Sequence, residues 1–153
     1  MWLTLALILH LLGLIIWVGG MAFSIIVLRP SITALAPADQ LALHDRLFRK
    51  FFRLLWHIIP TTLLSGWAMI FLAYGGFAAL PWSVNAMQTI ALVMTGIFLL
   101  IYFGPFNLFK TAYTANDAAT AADQAQRIRR LITANLALGL LATILGAIGH
   151  YGT

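Results

Sequence analysis

The donors in this chain able to bind a metal without help from a carboxylate are four histidines and five methionines; there is no cysteine. His10, Met69, Met87 and His150 sit in the most apolar surroundings, and their types define the chemistry open to them. Imidazole with thioether suits copper, and histidine, alone or with methionine, also supplies axial ligands to haem iron. Without thiols the chain builds neither a disulfide nor a thiolate metal centre. The four acidic residues, Asp39, Asp45, Asp117 and Asp123, lie outside the apolar runs and there is no Glu, so no buried carboxylate pair exists for acid–base hydrolysis.

The elements that must position these donors are membrane spans. From Trp2 to Leu28 there is no charged residue. As an α-helix that run is about 40 Å long, more than the roughly 30 Å of a bilayer core. His10 lies well inside it, and an ionisable side chain in a span is costly unless it faces the bundle or a cavity. Three more apolar runs follow, giving spans over about 2–28, 54–74, 86–109 and 131–151 of a single domain, 1–153. With 62% hydrophobic and 8% charged residues, the chain has too little polar surface to coat a soluble globule. No positive stretch precedes the first run, which is also too long for a signal sequence, so it is expected to remain as a span. Pro37 and Asp39 mark a helix start, and residues 37–53 form an amphipathic extension that continues unbroken into the second span. Thr111 to Gln126 is Ala-rich and polar, which predicts an exposed helix.

All nine Lys and Arg residues fall between Arg29 and Arg53 or between Lys110 and Arg130. The positive-inside rule then places both termini outside, in an all-α antiparallel four-helix transmembrane bundle. Trp2, Tyr74, Trp82 and Tyr151 form an outer aromatic belt under the same topology. The net charge of +5 is explained by orientation and anionic lipid, which makes the bilayer the partner and excludes nucleic acid.

In lipid, small and polar residues mark the packed faces of helices. Such stripes are His10, Gly13, Trp17, Gly20 and Ser24 on the first span, and Thr62, Ser65, Gly66 and Met69 on the second. The third offers Gln88, Thr95 and Tyr102, and the fourth Asn135, Gly139, Ala142, Gly146 and His150. At 1.5 Å per residue, His10, Met69, Met87 and His150 all fall in the outer half. Each has a plainer role open to it: a structural hydrogen bond from His10 to Asn135 or to a backbone carbonyl, gap filling by the methionines, and a headgroup position for His150. Asn135 and Gln88 fit interhelical hydrogen bonds, His44 and Asp45 a solvated face, and His57, three residues before Pro60, an interfacial or helix-bonded position.

Several segments resemble the small stand-alone CopD-type (copper resistance D-like) membrane proteins. They are Leu9-His10-Leu11-Leu12 through Trp17-Val18-Gly19-Gly20-Met21, Leu28-Arg29-Pro30, Arg49-Lys50-Phe51-Phe52-Arg53, Ser65-Gly66-Trp67, and Arg129-Arg130-Leu131 through Leu138-Gly139-Leu140. The resemblance implies a four-span inner-membrane protein concerned with copper, with His10 the family-like ligand. The first span also resembles, more distantly, the HemJ-type protoporphyrinogen oxidases, which implies b-type haem on a first-helix histidine. The third span departs from that pattern, with Asn85, Ala86, Met87 and Gln88 where those proteins carry a basic residue or histidine. The expectation is therefore a transition-metal site centred on His10, with Met69, Met87 or His150 as partners, serving copper handling or transport and served by a periplasmic copper donor. The alternative is a redox protein, an oxidoreductase only if haem is bound, holding haem b by His10 with His150 or Met87 opposite and meeting a redox partner. A third reading is an assembly or lipid-interaction bundle without a cofactor.

Overall fold

In a bilayer both faces of a helix are apolar, so size and not polarity decides which face packs. α1 (Trp2–Ile32) shows this: Ala6, Gly13, Trp17, Val18 and Met21 turn inward while Leu5, Ile8, Leu12, Ile15 and Ile26 stand exposed. The computed structural model describes residues 1–78 and 80–151, with backbone alone for 150 and 151. All regular structure among these residues is helical. Near its end α1 widens into a π-helical turn, Phe23–Leu28, where the Arg29 N–H donates to the Ser24 carbonyl, five residues back. Pro30 follows at once, and the wider turn absorbs the backbone donor that proline lacks.

α2 (Pro37–Tyr74) is one unbroken helix with Pro37 in its first turn, and it closes on Gly75, whose φ of +73° suits a residue without a side chain. Its 38 residues span about 57 Å, nearly twice a bilayer core, so the charged stretch before Leu54 stands outside the apolar span. α3 (Trp82–Phe103) stops at Gly104, where a side chain would press on the Leu100 carbonyl, and Pro105 opens α4 (Pro105–Thr114). The third apolar run thus bends at Gly104 where the sequence predicts a straight span to Phe109. Asn116, with φ of +57°, turns the chain, and Asp117 caps α5 (Ala118–Tyr151) by accepting the Thr120 N–H at 3.0 Å.

α1 packs chiefly on α2, and α3 and α4 on α5. Four long apolar helical stretches, Trp2–Ile32, Pro37–Tyr74, Trp82–Thr114 and Ala118–Gly149, make this an all-α four-helix bundle and a multi-pass membrane protein. The exposed helix expected over 111–126 is absent as such. Its two halves belong to α4 and α5, and Ala112, Ala121 and Ala125 are buried because alanine lets the helices approach closely.

The basic end of the bundle is filled by rings. Phe48, Phe52, Phe98, Phe106 and Phe109 are all at most 3% exposed, and Phe52 meets Phe106 edge-on at 4.8 Å between centroids. Tyr102 and Trp56 extend the cluster. Since lipid removes the hydrophobic drive between helices, this packing holds the bundle through dispersion and ring geometry. Phe52→Ala is expected to destabilise the folded protein by about 3 kcal/mol. The outward-facing Leu100→Ala should stay within about 0.5 kcal/mol, and reversible unfolding in mixed micelles compares the two.

His44, expected on a solvated face, is instead buried beside Phe48, with its Nδ1–H donating to the Gln40 carbonyl at 2.7 Å. Burial pushes its imidazole below the ordinary value of 6.5, against the Gln40 hydrogen bond, and the Arg129 guanidinium adds to the lowering. The folded protein therefore resists a proton that the unfolded chain accepts. Stability present above about pH 6.5 is lost as the pH falls below it, and His44→Leu should flatten that part of the unfolding profile.

Candidate functional site

Toward the end of the bundle that holds both termini, the helices part around a cavity of about 150 Å³. His10 lines it, and its position follows from one close helix crossing. Gly13 on α1 lies so near Thr62 on α2 that a side chain there would overlap the Thr62 hydroxyl. One turn away, Gly66 leaves the space the imidazole fills: a β-carbon on Gly66 would sit 3.1 Å from His10 Cε1 and 3.2 Å from Nδ1. His10 Nδ1 is 2.9 Å from the Thr62 carbonyl oxygen. A carbonyl only accepts, so Nδ1 carries the hydrogen, and in the neutral imidazole Nε2 keeps its lone pair. This is the arrangement that fixes tautomer and ring orientation in metal-binding histidines, whose second nitrogen donates to a backbone carbonyl.

Met69 from α2 and Met87 and Met94 from α3 line the same cavity, with Trp17 and Trp67. Met87 and Met94 are seven residues apart, and Gly146 and Gly139, equally spaced on antiparallel α5, lie against them. A β-carbon would fall 3.0 Å from Met87 Sδ at Gly146 and 3.1 Å from Met94 Cε at Gly139. Asn135, 2% exposed, joins α5 to α3 by donating to the Met94 carbonyl at 3.3 Å. It is therefore not the partner of His10. Two residues of the lining carry a buried polar atom with no hydrogen-bond partner among the described residues, the Trp17 indole N–H and the Gln88 amide oxygen.

The structure thus brings together His10, Met69 and Met87 from the expected donors. The side chain of His150 lies outside the described residues. Met94 escaped the sequence reading, although the matched seven-residue spacing of Met87 and Met94 with Gly139 and Gly146 was there to find it. The packed stripe of α3 runs through Ser83, Met94, Phe98 and Ile101, whereas Thr95 is only half-buried and hydrogen-bonded to the Ala91 carbonyl. His57 is exposed and bonded within its own helix to the Arg53 carbonyl at 3.0 Å. The sequence's acidic residues take no part, and no group of three or more histidines and carboxylates is arranged to hold a metal among the described residues.

Gly66→Val should displace the His10 ring and break its bond to Thr62 at a cost of about 1 kcal/mol. In ¹⁵N spectra of labelled histidine, the Nδ1-protonated tautomer of His10 gives way to a mixture in this variant. An unchanged His10 signal in folded protein would show that the ring does not rest on Gly66.

Comparison with known proteins adds one relationship. A family model described as Copper resistance protein D matches residues 45–148, a stretch that contains Met69, Met87 and Met94 but not His10. Comparison with the curated proteins and with the solved structures found no match.

Proposed function

This chain belongs to the Copper resistance protein D family, and on that premise we propose that it handles copper in a bacterial inner membrane, accepting the ion in the cavity beside His10. The observation that carries this reading is the imidazole whose Nδ1–H is committed to Thr62, on a ring lining a cavity walled by methionines. His10 Nε2, Met69 and Met87 are the proposed ligands, and copper is cargo here, not a fixed cofactor. The concentration of all Lys and Arg at the opposite end of the bundle supports an orientation with both termini outside. The cavity would then open to the periplasmic half, where a copper donor can reach it.

The cavity's size favours a single ion over haem. About 150 Å³ matches an apolar cavity that takes benzene or xenon, far short of a porphyrin ring. Elemental analysis of protein purified from copper-supplemented cells should find about one copper per chain, lost in His10→Ala, with no Soret band. Full copper in His10→Ala would remove the central residue of this reading. A Soret band that disappears in that variant would replace copper by haem.

A further inference from the structure

The wall of this cavity carries no charge, and that selects the valence of the ion. All four side-chain carboxylates lie in polar segments at Asp39, Asp45, Asp117 and Asp123, and the residues lining the cavity include no carboxylate, Lys or Arg: one imidazole, three thioethers and two indoles lie among aliphatic side chains, with Thr62, Gln88 and Thr143 as uncharged polar residues. Placing an ion in a low-dielectric interior costs free energy that grows as the square of its charge, and no anionic ligand is present to offset it. A divalent ion is penalised far more than a monovalent one. Donor type points the same way, since thioethers select Cu(I) while Cu(II) favours nitrogen and oxygen ligands in tetragonal array. The indoles are compatible with this: Trp17 is 2% exposed and lines the cavity, and tryptophan is the side chain whose ring attracts a cation most strongly.

Resting on the copper reading above, we propose that the cavity takes copper only as Cu(I), and that Met94 is a ligand alongside Met69, Met87 and His10. Met94 is suited to this because both its ends are held. Its carbonyl accepts the Asn135 amide at 3.3 Å, and its methyl lies against Gly139, where a side chain would displace it. The ion arrives and leaves in the same oxidation state, so no reductant is involved.

The full chain in lipid nanodiscs tests this with three probes: Cu(I) under anaerobic competition with a chromophoric chelator, Ag(I) as a monovalent ion that does not change valence, and Cu(II). One equivalent of Cu(I) and of Ag(I) should bind, with Cu(II) held only weakly. Met94→Leu conserves volume and should leave thermal unfolding in place while weakening Ag(I) by about tenfold or more. Cu(II) bound as tightly as Ag(I), and lost in His10→Ala, would overturn the valence inference and leave the copper reading standing. Unchanged Ag(I) affinity in folded Met94→Leu would remove Met94 from the ligand set. A chain that binds none of the three ions would overturn the copper reading itself.

Discussion

The hydrogen bond from His10 to the Thr62 carbonyl, made where Gly13 and Gly66 let two helices touch, is the contact on which the rest of the site depends. Lipid offers an imidazole no partner, so the ring must find one within the protein. Gly66 provides the space and Thr62 the acceptor, and together they decide which nitrogen keeps a lone pair. A larger residue at either glycine would part α1 from α2 and leave the histidine without an orientation. Ser65, which donates to the Thr61 and Thr62 carbonyls at 2.7 and 3.0 Å, satisfies its hydroxyl along the same helix edge and adds no competing group to the cavity.

The two ends of the bundle divide the work. At the basic end, ring packing among Phe48, Phe52, Phe98 and Phe106 locks α2 against α3 and α4. Arg129, from α5, is partly buried there near Arg29 from α1, and both desolvation and that neighbour push its guanidinium down from its usual range. The ion pair among the described residues is Arg49 with Asp45 at 2.7 Å, an exposed contact of small energetic weight. The other end is loosely filled by flexible methionines, whose side chains adapt around an occupant. A rigid anchor at one end thus allows an adaptable pocket at the other.

Much of this was legible in the residues. Four apolar runs, the placement of charge and the unbroken passage from Pro37 into the second span follow from length and composition, and the structure has those helices. The inward stripe of α1 could be read from its small residues, because Gly13 and Trp17 recur with His10 at helical spacing. Two features resisted. Of the stripe expected on the third span, Gln88 lines the cavity and Tyr102 joins the ring cluster, but Thr95 satisfies its hydroxyl on its own helix and the most buried positions are apolar ones the stripe omits. The alanine-rich stretch after Lys110 reads as exposed by polarity, and most of it is, yet Ala112, Ala121 and Ala125 serve close packing, which only the partner helix reveals. Met94 is absent from the sequence reading, and its place beside the cavity emerges when Gly139 on α5 is set against it.

The central claim is that copper sits between one imidazole and several thioethers inside the bundle. X-ray absorption at the copper edge, recorded on the anaerobically loaded protein, reads those neighbours directly. The account predicts sulfur scatterers together with a single histidine nitrogen and the edge shape of Cu(I). A first shell of nitrogen and oxygen alone, with no sulfur, would contradict it.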